Sequence, residues 1–141
     1  MHGIIFFYIQ KFADEATSGK TTWLKLRETV TATNSRYLPN EVYPDTDAIQ
    51  LLQKIADTCG EPLPKLIERF GEFLAPHLIK VAGQLIDPSW QTLDLIENTE
   101  SIIHTMVRSA NPGAEPPVLE TVRHSPNELH LVYSSGRQLC L

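Results

Sequence analysis

The chain has 141 residues, enough to bury a hydrophobic core as one domain, and 42% of them are hydrophobic, as in ordinary globular proteins. Its 12 basic and 17 acidic residues give a formal net charge of -5, which argues against nucleic-acid binding because that function needs clustered Lys and Arg. No apolar run reaches the length of a membrane span, and Cys59 and Cys140 lack metal-ligand spacing, so we expect a cytoplasmic protein with reduced thiols.

The first 88 residues are predicted to form a helical half of the domain. A first helix of about four turns is indicated by apolar residues at helical spacing: Ile4, Ile5, Tyr8, Ile9 and Phe12. Thr21 or Thr22 can cap a second helix, whose inward face would be Trp23, Leu24, Leu26 and Val30. Residues 31–44 contain helix breakers and are predicted to be irregular.

Two further helices follow in this half. Asp45 or Thr46 is expected to cap a third helix that Gly60 stops, with an inward face of Ile49, Leu52, Ile55 and Ala56. Pro64 suits the first turn of a fourth helix, which presents Leu66, Ile67, Phe70, Phe73, Leu74 and Leu78. Pro76 is expected to kink or end this helix, with a short fifth helix over residues 78–86 and an exposed His77.

A long helix from Trp90 to Ala110 and a hairpin make up residues 89–141. On a helical wheel, His104 lies at the edge of the apolar arc of Leu93, Ile96, Ile103 and Val107. Strands are predicted over Val118–His124 and Glu128–Ser135, joined by a turn at Ser125-Pro126-Asn127. Helices first and an antiparallel hairpin last give an α+β class.

Tyr133, Ser135 and Arg137 occupy alternate positions of the second strand, and they would therefore share one face. Two hydroxyls and a guanidinium would line up over roughly 13 Å, at about 3.3 Å per residue. Such a row suits a ligand with two anionic groups, because Arg binds carboxylates in charge-assisted pairs.

Plainer interpretations of these residues stay open. A lone histidine beside an apolar helical face is usually structural, and the Tyr133 row also fits the solvated face of a strand. His124 and His130 flank the turn with Cys140 near in sequence, so zinc is an alternative, although the spacing matches no standard pattern. An enzyme is not expected, because the nucleophile, phosphate and metalloprotease motifs are absent and nothing brings Ser, His and Asp together as in a small hydrolase.

The chain resembles the H-NOX (haem–nitric oxide/oxygen binding) family, which includes the sensor domain of soluble guanylate cyclase. The resemblance covers essentially the whole chain, and it lies in Met1-His2-Gly3-Ile4-Ile5, Tyr43-Pro44-Asp45, Phe70-Gly71, Ile103-His104, Gly113-Ala114-Glu115-Pro116-Pro117 and Tyr133-x-Ser135-x-Arg137. It implies one haem-binding domain over residues 1–141. The family domain continues with a helix and further strands, so the chain is also expected to be part of a longer protein.

The resemblance assigns roles to particular residues. His104 would be the axial ligand of the iron in haem b, and Tyr133, Ser135 and Arg137 would bind the haem propionates. Pro117 would press on the porphyrin and, with Ile5, hold it out of plane. A distal pocket of Ile5, Ile9, Leu74 and Leu78 would offer bound oxygen no hydrogen bond, which favours NO and CO over oxygen.

The resemblance also implies a gas sensor. In the family, NO weakens or breaks the iron–histidine bond, the freed helix moves, and a partner histidine kinase, diguanylate cyclase or guanylate cyclase is regulated. The alternative is a haem-free regulatory or scaffolding domain of the same fold that acts through protein contacts alone.

Overall fold

The chain folds into helices followed by a hairpin, which confirms the predicted α+β class. The computed structural model describes residues 1–19, 21–28, 30, 37–111 and 113–136. Two compact units divide the chain, Met1–His77 and Leu78–Leu141. Among the described residues, no helix combines the length and apolar character needed to cross a membrane.

The first unit is helical, as the apolar spacing predicts. Its helices are α1 (Gly3–Ala16), α2 (Trp23–Glu28), α3 (Asp45–Cys59) and α4 (Leu63–Val81), the last turn of which belongs to the second unit. Their apolar faces meet in one core, which includes Phe6, Ile9, Phe12, Leu26, Leu51, Ile55, Leu66 and Phe70. Leu24 is an exception to the prediction, because 58% of it is exposed.

The start of α1 is held against the segment before α3. The Gly3 amide donates to the Glu41 carbonyl at 2.7 Å, and a Cβ at Gly3 would lie 1.8 Å from the Leu38 carbonyl oxygen. Tyr43 fixes that segment, since its hydroxyl accepts from the Leu38 amide at 2.6 Å. Only glycine fits this close approach of two backbones.

The ends of α3 and α4 differ in part from the predictions. Gly60 ends α3 with a φ of 72°, as predicted, but the N-cap is Pro44, one residue earlier than expected. Pro76 does not end α4, which continues to Val81, and a 3₁₀ turn at Gly83–Leu85 replaces the predicted fifth helix. The packing of aromatic side chains from this helix against the core offsets the hydrogen bond that the proline lacks.

In the second unit, the predicted long helix has three parts. They are α5 (Thr92–Asn98), a π-helical segment over Thr99–His104, here called the π-turn, and α6 (Thr105–Ala110). The helix begins two residues after the predicted Trp90, because Gln91 and Asp94 form a reciprocal capping box. His104 is the last residue of the π-turn.

The predicted hairpin is present, with β1 over Val118–Ser125, one residue longer than predicted, and β2 over Glu128–Ser134, which ends one residue before the predicted Ser135. Leu119 pairs with Tyr133 and Arg123 with Leu129, so these four side chains share one face. Arg123 donates to Asp94 at 3.0 Å and to Glu97 at 3.2 Å. The face that carries Tyr133 is therefore the face directed towards α5.

Candidate functional site

His104 lies in the π-turn with its side chain only 14% exposed. Its Nδ1 is 2.8 Å from Oε2 of Glu100. Because an ionised carboxylate only accepts hydrogen bonds, Nδ1 carries the proton, and Nε2 of the neutral ring keeps its lone pair. In the part of the chain that the structure describes, no hydrogen-bond partner meets Nε2. The Nε2 atom is therefore suited to bind a metal ion.

Glu100 is a site residue that the sequence analysis missed. Besides His104, its carboxylate accepts from Arg108 Nη2 at 2.6 Å and from the Leu119 amide at 3.1 Å. Burial alone would raise the pKa of Glu100, but the hydrogen bonds from His104, Arg108 and the Leu119 amide outweigh it and lower the pKa to about 2. The carboxylate is therefore ionised at neutral pH.

The π-turn sets the backbone around these two groups. The hydroxyl of Thr105 donates to the Glu100 carbonyl at 3.2 Å, five residues earlier. π-helical segments are rare and occur frequently at functional sites. A periodicity of apolar residues cannot predict one, since it fixes which face is buried and not which carbonyl each amide meets.

The hairpin brings part of the predicted propionate row near this network. Tyr133 lies opposite Leu119, the residue whose amide donates to Glu100, and 57% of Tyr133 is exposed. Ser135 is half-buried and follows Ser134, the last residue of β2. Arg137 lies outside the described residues. The binding of propionates by this row stays a prediction.

The loop between α6 and β1 holds Pro117, the predicted porphyrin contact. Pro117 is half-buried and directly precedes Val118, the first residue of β1. Ala114 in the same loop is buried, and its amide donates to the Asn111 carbonyl at 2.8 Å. The predicted porphyrin contact of Pro117 stays a prediction.

The predicted distal residues are apolar and differ in burial. In the first unit, Ile9 is fully buried in the core, whereas Ile5 and Leu74 are half-buried against it. In the second unit, Leu78 is 39% exposed. That these four residues line a ligand pocket stays a prediction.

His77 is not exposed as predicted but half-buried. Its Nδ1 lies 2.8 Å from the Phe73 carbonyl, and its ring packs 5.1 Å from the ring of Tyr8. Because a carbonyl only accepts, Nδ1 carries the proton, and Nε2 of the neutral ring is an acceptor. The neutral His77 ring therefore has no N–H group at Nε2 that could donate a hydrogen bond.

The alternative zinc site finds no support in the structure. The rings of His124 and His130 lie 4.1 Å apart, but among the described residues no group of three or more His, Cys, Asp or Glu could hold a metal ion. Cys140 lies outside the described residues. Cys59 is a free, half-buried thiol that donates to the Ala16 carbonyl at 3.5 Å.

Comparisons with known proteins agree on one family. The family model for haem-NO-binding proteins matches residues 2–141, whereas no curated protein matches the chain. The H-NOX protein of Shewanella oneidensis, solved in the Fe(II)NO state, superposes with a TM-score of 0.84 at 25% identity over 99% of this chain and 77% of that one.

Two further structures show the same fold. The H-NOX of Shewanella woodyi in the Fe(II)CO state has a TM-score of 0.78 at 23% identity, over 99% of this chain and 74% of that one. The unliganded Fe(II) H-NOX of K. algicida has a TM-score of 0.78 at 20% identity, over 96% and 74%.

Proposed function

Since the chain belongs to the haem-NO-binding (H-NOX) family, we propose that it is a single domain that binds haem b through Nε2 of His104. The observation that carries this assignment is the hydrogen bond between Nδ1 and Glu100, which leaves Nε2 as the donor atom. Ferrous haem would supply an iron atom that takes up NO or CO, the ligands present in related H-NOX structures.

Further residues are proposed to hold a haem with its two propionates. Tyr133 and Ser135 offer hydroxyl donors at alternate positions, and Arg137 in the sequence adds the charge that pairs with a carboxylate. Pro117 and Ile5 would contact the porphyrin. The apolar side chains of Ile9, Leu74 and Leu78 would exclude water and leave bound oxygen without a hydrogen bond, so NO and CO are favoured.

The proposed output is regulation of a signalling partner in the cytoplasm, such as a histidine kinase, a diguanylate cyclase or a guanylate cyclase. Release of His104 from the iron would free the helix that carries it. Glu100 joins that helix to β1 through the Leu119 amide, so a movement of the helix would be transmitted to the hairpin. The domain itself would be a sensor and not an enzyme.

The test is the visible absorption spectrum of the reduced protein, expressed with a supply of haem. We expect a Soret band at stoichiometric haem, with distinct shifts after addition of NO and of CO. Air should produce no stable oxygen complex. A protein that purifies folded but without any Soret band would contradict the proposal and favour the haem-free scaffolding domain.

A further inference from the structure

Glu100 is held from three sides within the second unit. Its oxygens accept from Nδ1 of His104 at 2.8 Å, from Arg108 at 2.6 Å and from the Leu119 amide at 3.1 Å. The first two partners lie one and two helical turns further along the chain, whereas Leu119 is in β1. A carboxylate that accepts from three donors, in the π-turn, α6 and β1, has little freedom to turn.

We infer that Glu100 is the positioning residue of the iron ligand: it fixes the tautomer and ring orientation of His104 and makes His104 a stronger donor to iron. This inference rests on the proposed function and deepens it. Glu100 itself would not touch the haem.

The hydrogen bond between Glu100 and His104 affects both the tautomer and the basicity of the imidazole. A carboxylate that accepts from Nδ1–H holds the proton on that nitrogen, so Nε2 is the atom presented to a metal. The same contact gives the imidazole partial anionic character and raises its basicity as a ligand. The bond between Nε2 and iron should therefore be stronger with Glu100 than with a neutral residue, and His104 should be released less readily when NO binds.

Arg108 and the Leu119 amide make this contact durable. Arg108 binds Oε1, which leaves Oε2 to His104, and the Leu119 amide holds Oε2 from the side of β1. Without these two donors, the carboxylate could turn into solvent, because surface ion pairs are held weakly. The network thus maintains the acceptor at a fixed distance from Nδ1.

The first test needs no haem. Long-range nitrogen–proton NMR of the apo protein at about pH 8, where an ordinary imidazole is neutral, reports which ring nitrogen of His104 is protonated. We expect the Nδ1–H tautomer in the wild type and a shift towards the commoner Nε2–H tautomer in Glu100→Gln. An Nε2–H tautomer in the wild type would overturn the inference, whether or not the protein binds haem.

The second test uses the ferrous, haem-loaded protein. Resonance Raman spectroscopy should show a lower iron–histidine stretching frequency in Glu100→Gln than in the wild type, and haem should dissociate about tenfold faster. Glu97→Gln is the matched control, because Glu97 lies on the same helix and pairs with Arg123 instead of His104. Equal frequencies in the wild type and Glu100→Gln would refute the assignment, and absence of haem from every variant would contradict the proposed function alone.

Discussion

The carboxylate of Glu100 and the imidazole of His104 form a hydrogen bond of 2.8 Å within the π-turn. The candidate ligand is therefore part of a polar network and not a lone histidine beside an apolar face. The Leu119 amide joins this network to β1, in which Leu119 lies opposite Tyr133 of β2. The proposed metal ligand and part of the proposed propionate row are thus linked through Glu100 and the pairing of β1 with β2.

This network should make the stability of the protein depend on pH in acid. The pKa of Glu100 is lowered from 4.5 to about 2 on folding. Its contribution to stability is therefore present above about pH 5 and is lost as the pH falls towards about 2. Urea unfolding should show Glu100→Gln to be less stable than the wild type at about pH 6, with a difference that shrinks at about pH 3. A difference independent of pH would argue against the network.

Gly3→Ala should destabilise the first unit severely. The new Cβ would lie 1.8 Å from the backbone oxygen of Leu38, which cannot move aside as a flexible side chain would. We expect a loss of about 3 kcal/mol in the free energy of unfolding. Gly71→Ala is the matched control, since Gly71 lies within α4 with nothing within 4 Å, and it should stabilise by about 0.5–1 kcal/mol. Chemical denaturation measures the stability of both variants. A Gly3→Ala protein as stable as Gly71→Ala would rule out the close approach of Gly3 to the Leu38 carbonyl.

Arg123→Gln should loosen the hairpin from α5. The guanidinium of Arg123 binds Asp94 through Nη2 and Glu97 through Nη1, and the Arg123 side chain is 27% exposed. We expect a loss of about 1 kcal/mol, discounted for partial exposure. Arg123→Lys should lose about half as much, because lysine keeps the charge but not the planar fork. Thermal or urea unfolding gives the order of stability of the wild type, Arg123→Lys and Arg123→Gln. If both variants are as stable as the wild type, the ion pairs of Arg123 contribute nothing to stability.

Ser135→Ala should weaken haem binding while Ser134→Ala should not. The two serines are neighbours in sequence, and Ser134 is exposed whereas Ser135, directly after β2, is half-buried, as expected if period-two alternation continues past the strand. A hydrogen bond to a carboxylate contributes about 1.5 kcal/mol or more, so haem should dissociate about tenfold faster from Ser135→Ala and from Tyr133→Phe. Transfer of haem to an excess of apomyoglobin measures the rate. Equal rates for the two alanine variants would exclude the row from propionate binding.

Periodicity predicted the parts of the fold that depend on burial. The apolar spacing of Ile9 and Phe12 in α1, and the glycine at position 60, gave helices that the structure confirms. Of the two effects predicted for Pro76, ending the helix is wrong, because a helix packed by Phe70 and Phe73 tolerates one missing hydrogen bond. Local propensity does not register that tertiary compensation.

The candidate site was predicted less completely. Glu100, His104 and Arg108 repeat every four residues, so the sequence contained a signal for their contacts on one helical face. The Leu119 amide carried no such signal, because its donation to Glu100 depends on how the hairpin meets the helix. The π-turn could not be predicted either, because it changes the backbone hydrogen-bond partners without changing the pattern of apolar residues.

The measurement closest to the central claim is haem binding by His104→Gly with and without free imidazole. If Nε2 of His104 is the iron ligand, the variant should lose haem or change its ferrous spectrum, and imidazole should restore the wild-type spectrum by filling the space. Near-UV circular dichroism would establish that the variant is folded. A His104→Gly protein with the wild-type haem content, ferrous spectrum and response to NO would contradict the account.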